Sequence, residues 1–352
     1  MRLLITGGAG FVGSNLAAMF AQLPGWSVTA FDNLHRRGSE LTLKRLRAAG
    51  VGFVHGDIRS PEDFEVLPAT DLLIECSAEP SVHAGYGTSP RYLINTNLAG
   101  TVNCLEFARR HGAAVIFLST SRVYSMAALR ALPLYDAGTR LALPADAAGP
   151  GWSAAGIAET FPTGGGRSLY GTTKLAAELL VEEYNVAFGL KTVVNRCGVL
   201  TGPWQMGKID QGFFVLWAAR HVYGGTLAYR GFGGTGHQVR DVLHIADLYD
   251  LIRRQAEALD RYSGHTFNVG GGAGTSVSLA ELTELCAART GTRIAPGREP
   301  ATLAVDIPYY VTDNSRVAAA TGWVPTRSVA TILDEVVDWL ELHRAELEGI
   351  LA

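Results

Sequence analysis

Tyr170 and Lys174 stand four residues apart in the segment SLYGTTK, residues 168–174, where a stretch of helical periodicity begins. Side chains four apart on a helix lie on one face, so the phenol and the ammonium are predicted to project to the same side. An ammonium beside a phenol favours the phenolate, which lowers the pKa of the tyrosine and makes it a usable base near neutral pH. Because Y-x-x-x-K is common by chance, a catalytic interpretation depends on the residues that accompany it.

A run of hydroxyls ends a predicted strand in VIFLSTSRVYS, at Ser119, Thr120 and Ser121. Ligands of open α/β sheets bind at the carboxyl ends of the strands, so a hydroxyl here is placed to hydrogen-bond both the tyrosine and a substrate hydroxyl. Each hydroxyl taken alone could equally be a satisfied turn residue. A hydroxyl at this strand end, the tyrosine and the lysine together predict a catalytic set.

A glycine-rich segment, ITGGAGFVGSNL, joins the first predicted strand to a helix through Gly7, Gly10 and Gly13. Glycines permit the tight turn and the close approach of backbone to a pyrophosphate, and the amides and dipole of a helix start favour that anion. Phe11 and Val12 open the helix. A strand before the loop and a helix after it are the context that a dinucleotide site requires.

Asp32 ends the second predicted strand, where a carboxylate accepts hydrogen bonds from a ribose and repels a 2'-phosphate. This position favours NAD over NADP. Arg36 and Arg37 leave NADP open, because an arginine there either binds the 2'-phosphate or belongs to a solvated loop. Asp57, in the segment GDI at the end of the third strand, is expected to flank the adenine or to cap a helix.

Short apolar runs alternate with longer amphipathic stretches, which predicts a parallel sheet with helices on both faces. The fold class is therefore α/β, a doubly wound parallel Rossmann sheet with a smaller discontinuous C-terminal substrate lobe. Residues 1–196, with 238–270 returning, form the expected NAD-binding domain, and 197–237 with 271–352 form the lobe. Residues 124–168 break the rhythm with prolines and glycines, which predicts a long irregular segment. The predicted strands are 3–6, 28–31, 52–55, 72–76, 115–119 and 192–196, and the clearest helices are 97–111 and 170–188.

Composition narrows the class of protein. The 352 residues are 47% hydrophobic and 18% charged, with a net charge of -3, so the chain carries no basic footprint for nucleic acid. No apolar run is long enough to span a bilayer and no cleavable signal pattern is seen, so a cytoplasmic location is the default expectation. Four scattered cysteines without C-x-x-C spacing indicate core residues, and no metal is expected.

Eight segments together resemble the extended short-chain dehydrogenase/reductases, and within them the nucleotide-sugar epimerases and dehydratases. The resemblance covers nearly the whole chain. It runs through TGGAGFVG (6–13), FDN (31–33), GDI (56–58), NTNLAGTVN (95–103), STSRVY (119–124), YGTTK (170–174), RCGVLTGP (196–203) and RDVLHIADL (240–248).

The resemblance implies a catalytic set of Thr120, Tyr170 and Lys174, with Ser121 as the alternative to Thr120. It implies NAD as cofactor, a nucleotide-diphosphate sugar as substrate and a homodimer. The expected cofactor contacts are Gly7, Gly10, Phe11, Val12, Gly13, Asp32, Asn33, Arg36, Asp57, Ile58, Ala78, Asn97, Ser119, Tyr170 and Lys174.

The residues after Thr120 bear on the reaction. Family 4,6-dehydratases carry an Asp-Glu pair there to remove and add water, whereas this chain has Ser121 and Arg122, which favours epimerisation with tightly bound NAD. GPWQMGKIDQGFF and GHQVRDVLH resemble the subgroup that inverts C2 of a CDP-hexose. A C4 epimerase, a 4,6-dehydratase or a dehydrogenase acting on another nucleotide sugar remain alternatives. A dinucleotide-sensing regulator would be expected to have lost Tyr170 or Lys174.

The expected substrate contacts include two arginines whose guanidinium forks match phosphate geometry, although either could be an ordinary ion-pair residue. Glu79 is either an acceptor for a substrate hydroxyl or a structural anion. Trp204 could line the pocket or pack in the core, and Val199 stands where relatives commonly have an asparagine. The full set is Glu79, Ser121, Arg122, Gln205, Gln211, Arg240 and Arg298.

Overall fold

The computed structural model describes residues 1–207 and 211–351, which form two compact units. Residues 124–167, 238–247 and 268–270 belong to the second unit, although the sequence predicted them with the first, and Cys197 belongs to the first. The two units are similar in size. Long-range backbone hydrogen bonds tie the segment 124–167 to the second unit: Ile157 N–H donates to the Val311 carbonyl and Leu141 N–H to the His237 carbonyl, each at 2.8 Å. The first unit is Met1–Val123, Ser168–Cys197 and Leu248–Phe267; the second is Tyr124–Arg167, Gly198–Asp247 and Asn268–Ala352.

A seven-stranded sheet forms the centre of the first unit. Pairings among the six strands that precede residue 200 are parallel, which confirms the doubly wound sheet. All seven residues of Ala114–Thr120 are buried, as expected for a strand covered on both faces. From one edge to the other the order is His265–Val269, Thr192–Cys197, Ala114–Thr120, Leu72–Glu75, Arg2–Thr6, Ser27–Asp32 and Gly52–His55.

The helix that carries Tyr170 and Lys174 is long and well capped. The Ser168 hydroxyl accepts the Gly171 N–H at 3.1 Å, and Gly189, at φ +66°, ends it. Its apolar face packs Ala177 and Val181 into the core of the first unit. The other helices that begin in this unit are Phe11–Phe20, Thr42–Ala48, Arg91–Ile94, Gly100–His111 and Leu259–Tyr262, and the long helix itself is Leu169–Phe188.

The second unit is built on smaller sheets. Val239–His244 pairs with Val199–Thr201, Ser276–Ser278 and Tyr309–Tyr310, and Ala228–Arg230 pairs with Gly297–Glu299. Its helices are Met126–Arg130, Phe213–Tyr223, Leu279–Thr290, Ser315–Thr321, Val329–Leu342 and Arg344–Leu351; helix Ile245–Glu257 begins in this unit.

The segment predicted to be irregular, residues 124–168, contains regular pieces. A short helix, Met126–Arg130, begins at Ser125, whose hydroxyl accepts the Ala128 N–H at 3.4 Å. Two small hairpins follow, Tyr135–Asp136 with Leu141–Ala142 and Trp152–Ser153 with Gly156–Ile157. Two-residue strands leave no periodicity to detect, so the sequence could not predict them.

The six predicted strands are confirmed to within two residues at each end. The predicted helix 97–111 differs, because Asn95–Ala99 is a π-helical turn and the α-helix begins at Gly100. Within the described ranges, no helix has the length and apolar character that crossing a bilayer demands.

Candidate active site

The order of the central strands defines where a ligand belongs in the first unit. Strand Arg2–Thr6 lies between Ser27–Asp32 and Leu72–Glu75, so the chain runs outward on one side of it and then on the other. Ligands of open α/β sheets bind beyond the carboxyl ends of the strands at this reversal point. The glycine-rich loop follows Arg2–Thr6 here, and the Cys76 loop follows Leu72–Glu75.

Each glycine of that loop is required for a different structural reason. Gly7 has a φ of +64°, and a Cβ on it would lie 2.9 Å from the Cys76 carbonyl carbon. A Cβ on Gly13 would lie 2.2 Å from the Gly7 carbonyl oxygen, so only glycine fits at both positions. Gly10 starts the helix Phe11–Phe20, which no side chain of the described residues caps. Its opening N–H groups therefore suit a pyrophosphate, which supports the predicted roles of Phe11 and Val12.

Asp32 is fixed against the glycine loop. One carboxylate oxygen accepts the Ala9 N–H at 3.0 Å and the other accepts the Leu34 N–H at 2.7 Å. Burial raises the pKa of Asp32, while the backbone N–H donors act in the opposite direction. Arg36 lies in the following turn, where its carbonyl accepts the Ser39 hydroxyl at 2.6 Å. The predicted ribose contact of Asp32 has the right location and stays a prediction.

Asp57 sits at the centre of a polar cluster after the third strand. Asn33 donates to it at 2.8 Å, and Arg59 forms an ion pair with it at 2.6 Å. Burial alone would raise the pKa of Asp57, but the hydrogen bonds from Arg59 and Asn33 lower it to about 2. The Arg59 guanidinium also lies 4.7 Å from the centre of the Tyr92 ring. Sequence reasoning missed Arg59. Ile58 is buried, and its predicted cofactor contact stays a prediction.

Tyr170 and Thr120 are brought together as predicted. Tyr170 lies in the first turn of the helix Leu169–Phe188 and is hydrogen-bonded to Thr120 at the end of strand Ala114–Thr120. The Thr120 hydroxyl also accepts the Arg122 N–H at 3.2 Å. Ser121 begins the next turn and is buried. This contact favours Thr120 over Ser121 as the hydroxyl partner of Tyr170.

The pKa of Tyr170 lies above its ordinary value in this structure, and the predicted effect of Lys174 on it stays a prediction. Burial raises the pKa of Tyr170 to about 12. The hydrogen bond with Thr120 and the charge of Arg122 lower it, whereas Cys197 and Glu75 raise it further. Tyr170 is thus a phenol at neutral pH, and catalysis requires that a ligand or a change of local charge favour the phenolate.

Lys174 forms an ion pair with Glu75, a partner that sequence reasoning missed. Its side chain is 2% exposed, its Nζ lies 3.5 Å from Oε2 of Glu75, and the same atom is 3.9 Å from the centre of the Phe117 ring. Burial raises the pKa of Glu75, and the charge of Lys174 acts against this rise. The available signal was a carboxylate inside the apolar run 72–76, because buried acids are almost always paired.

Ser119 makes a different contact from the predicted one. Its hydroxyl donates to the Glu178 carboxylate, which also forms an ion pair with Arg196 at 2.7 Å. Tyr170, Lys174 and Glu178 follow one another at four-residue intervals, so one face of the helix carries all three. The hydroxyl hydrogen of Ser119 is therefore used inside the protein, and its predicted cofactor contact has no support from this geometry.

Asn97 organises the loop that contains Ala78 and Glu79. Its side-chain oxygen accepts the Glu79 N–H at 2.8 Å, and its amide donates to the Glu79 carbonyl at 3.1 Å and to Thr173 Oγ1 at 3.2 Å. The Glu79 carboxylate accepts the Ser81 N–H at 3.2 Å. Asn97 lies in the π-helical turn, a feature frequent at functional sites. It thus positions the loop that follows strand Leu72–Glu75.

The second unit contains both arginines expected to bind phosphates. Arg240 donates to the Val239 carbonyl at 2.7 Å and to the Ile307 carbonyl at 2.6 Å, so the backbone holds its guanidinium. Arg298 is exposed on strand Gly297–Glu299. Their roles toward a diphosphate stay predictions.

The remaining substrate candidates differ in their surroundings. Gln205 is buried: its side-chain oxygen accepts the Thr201 hydroxyl at 3.0 Å, and its side-chain N–H donates to the Leu200 carbonyl at 2.9 Å. Trp204 packs 5.9 Å from Trp339 and 4.9 Å from His343, ring centre to ring centre, which supports its core interpretation. Gln211 is half-buried, and residues 208–210 of GPWQMGKIDQGFF lie outside the described residues.

A dinucleotide loop at the sheet's reversal point, with a Thr-Tyr-Lys set beside it, defines a nicotinamide-dependent enzyme of the short-chain dehydrogenase type. The model of the NAD dependent epimerase/dehydratase family matches residues 3–270. The chain belongs to this family, and NAD is its cofactor.

Named relatives include both epimerases and dehydratases. A CDP-paratose 2-epimerase of Salmonella typhi is 33% identical over 96% of this chain and 99% of its own. A dTDP-glucose 4,6-dehydratase of Streptomyces niveus is 29% identical over 99% of this chain and 96% of its own. The structure of a Streptomyces venezuelae dTDP-glucose 4,6-dehydratase, with NAD and TYD bound, matches with a TM-score of 0.79 and 26% identity. The match covers 99% of this chain and 100% of that one.

Proposed function

We propose that the protein is an epimerase of a nucleotide-diphosphate sugar and that it inverts C2 of a CDP-hexose. The single observation that carries the choice of epimerisation is the pair that follows Thr120, Ser121 and Arg122, where a dehydratase needs an acid and a base. The likeness to a CDP-paratose 2-epimerase over nearly the whole chain supports the choice of carbon and base.

Tyr170 is the acid and base of the proposed reaction. Its phenolate takes the proton of the C2 hydroxyl, Thr120 donates a hydrogen bond to the same oxygen, and the proton returns by the reverse path. The chemistry that bound NAD would supply is hydride transfer from C2 and its return to the opposite face of the keto sugar. The overall reaction consumes neither cofactor nor water.

Residues of the first unit are suited to hold NAD. The bare positions Gly7, Gly10 and Gly13 leave the loop open to a pyrophosphate, and Asp32 is held where a ribose hydroxyl is expected. Asn97 fixes the loop with Ala78 and Glu79. Arg240 and Arg298 are the proposed partners of the sugar-nucleotide phosphates.

A panel of CDP-, UDP-, GDP- and dTDP-hexoses, incubated with the purified protein and followed by ring-proton couplings in NMR, tests the proposal. We expect inversion at C2 of a CDP-hexose, and in heavy water no deuterium at C2, since the same hydride returns. Tyr170→Phe should abolish turnover, by at least about 10³-fold, yet still release NAD on denaturation. Deuterium at C2 would contradict hydride return.

The same panel separates the alternatives. Loss of water with a new 4-keto-6-deoxy sugar would establish a dehydratase, inversion at C4 would establish a C4 epimerase, and steady accumulation of NADH would establish a dehydrogenase. Each of these outcomes has its own coupling pattern or absorbance.

We also propose a homodimer formed through the long helix Leu169–Phe188. Leu179 and Val186, seven positions apart and therefore on one face, are 60% and 75% exposed. A second copy of this helix would bury them. Light scattering should give a dimer for the wild type and a monomer for the double variant Leu179→Glu, Val186→Glu; a dimeric double variant would contradict this interface.

A further inference from the structure

The carboxyl ends of the second and third strands carry a set of side chains that hold one carboxylate. Asn33 follows strand Ser27–Asp32, and its side-chain amide donates at 2.8 Å to Asp57, which follows strand Gly52–His55. Arg59 binds both oxygens of the same carboxylate, with Nε 2.9 Å from Oδ1 and Nη2 2.6 Å from Oδ2. A two-pronged contact of this kind fixes geometry as well as charge. The Asp57 carboxylate is therefore held in one orientation.

Tyr92 and His35 close this set into a ring of contacts, here called the Asp57 cluster: Asn33, His35, Asp57, Arg59 and Tyr92. The Arg59 guanidinium lies 4.7 Å from the centre of the Tyr92 phenol ring, an attractive arrangement of a cation on an aromatic face. The phenol ring and the His35 imidazole are 4.8 Å apart, centre to centre. The His35 backbone N–H donates to Asn33 Oδ1 at 3.0 Å, so the contacts return to their start.

The Asp57 cluster differs from an isolated surface ion pair. An exposed pair alone contributes little, because its side chains are free to separate into solvent. In the cluster each of the five residues contacts two others, and the side chain of Asp57 is only 19% exposed. Tyr92 lies on the short helix Arg91–Ile94, so the cluster joins two strand ends to a third element of the first unit.

This side of the sheet is where the adenosine of NAD is expected. A pyrophosphate suits the start of helix Phe11–Phe20, and an acid at the end of the second strand suits the adenosine ribose. Asp32 is that acid, and its contact with the Ala9 N–H places it beside the glycine-rich loop. The third strand pairs with the second on the side away from the first. The adenine is therefore expected to extend toward the third strand, where Asp57 lies.

We propose that Arg59 and Tyr92 are positioning residues for NAD, which hold Asp57 and Asn33 in the orientation that receives the adenosine and so slow release of the cofactor. His35 packs on the Tyr92 ring and supports it. Neither Arg59 nor Tyr92 was among the residues expected from the sequence. The inference concerns the cofactor, which the family establishes, and is independent of the sugar that the protein acts on.

The test measures how fast bound NAD leaves the NAD-containing protein. The protein is mixed with an excess of radioactively labelled NAD, and the label taken up is counted after gel filtration at set times. We expect Arg59→Met and Tyr92→Leu each to speed the exchange about 5- to 10-fold, since each removes an attractive contact of the cluster. Tyr92→Phe keeps the contacts of the aromatic ring and should exchange NAD as slowly as the wild type. Wild-type exchange in both Arg59→Met and Tyr92→Leu would overturn the proposal.

Arg109 supplies a matched control in the same unit. It forms an ion pair with Glu106 at 2.8 Å and lies 5.4 Å from the centre of the Phe188 ring, so it makes the same two kinds of contact in the last turn of helix Gly100–His111. Arg109→Met should leave the exchange rate unchanged. Exchange as fast in Arg109→Met as in Arg59→Met would indicate a general loosening of the unit, and the proposal would fail.

The double variant Arg59→Met, Tyr92→Leu tests whether the two residues act together. Because they share one contact, the factor by which it speeds exchange should be smaller than the product of the two single factors. A factor equal to that product would refute the cluster as a unit. A purely structural role would lower the melting temperature and leave the exchange rate at its wild-type value, which would also refute it. The exchange needs no sugar, so its outcome is separate from that of the nucleotide-sugar panel.

Discussion

Thr120 and Ser121 offer neighbouring hydroxyls, and the hydrogen bond to Tyr170 distinguishes them. Thr120→Val keeps the shape of the side chain and removes the hydroxyl. We expect kcat to fall about 10- to 100-fold, the value of a hydrogen bond to a developing charge. Ser121→Ala, which removes a proposed substrate contact, should raise KM more than it lowers kcat. A larger loss of kcat in Ser121→Ala than in Thr120→Val would reassign the catalytic role.

The proposed catalytic residues could be singled out from the sequence because their types and spacing are local. Tyr170 and Lys174 share one turn of helix, and Thr120 ends an apolar run. Glu75 could not be paired with Lys174 in advance, since the contact joins a strand end to a helix far along the chain. The contact of Ser119 could not be foreseen for the same reason: its partner, Glu178, lies on that distant helix, and the predicted cofactor contact of Ser119 stays a prediction.

The helix Leu169–Phe188 is anchored to the sheet by Glu178, which binds Ser119 and Arg196 on two neighbouring strands. Removing the carboxylate deletes the 2.7 Å ion pair with Arg196, which is 13% exposed, and the acceptor of the Ser119 hydroxyl. We expect Glu178→Ala to lower the free energy of unfolding by about 3 kcal/mol or more, measured by urea denaturation at a fixed NAD concentration.

An exposed ion pair provides the control for this measurement. Glu284 and Arg293 are 72% and 81% exposed and 3.5 Å apart, so Glu284→Ala should cost less than about 1 kcal/mol. Equal losses in the two variants would mean that Glu178 does not anchor the helix.

Strands and long helices were predictable because burial on both faces leaves a continuous apolar run and burial on one face leaves a periodic pattern. Ala114–Thr120, with every residue buried, differs from its prediction by one residue at each end. The hairpin Trp152–Ser153 with Gly156–Ile157 was not predictable, because a contact with Val311, distant in sequence, fixes it. The π-helical turn at Asn95–Ala99 likewise depends on Asn97 reaching the Glu79 loop.

Buried titratable groups change the stability of the fold in opposite directions as pH falls. Burial lowers the pKa of His244 to about 4, and the nearby Arg327 acts in the same direction. Its Nδ1 accepts the Ala246 N–H at 3.2 Å, so protonation there would break that bond at the start of helix Ile245–Glu257, where a cation is also unfavourable. Burial raises the pKa of Asp32 and Asp241, which protonate more readily in the folded state and stabilise it as pH falls.

The contribution of His244 can be isolated from these opposing groups. Its pKa is lower in the folded chain than in the unfolded one, so below pH 6.5 the unfolded state gains the proton first and stability is lost until about pH 4. The full loss is about 3 kcal/mol, since a tenfold difference in proton affinity between the two states corresponds to about 1.4 kcal/mol. His244→Asn keeps an acceptor for the Ala246 N–H and cannot take up the proton. Urea denaturation of both proteins across this pH window should show that the wild type loses more unfolding free energy than His244→Asn as pH falls. A constant difference between the two unfolding free energies would mean that His244 is not the group that titrates.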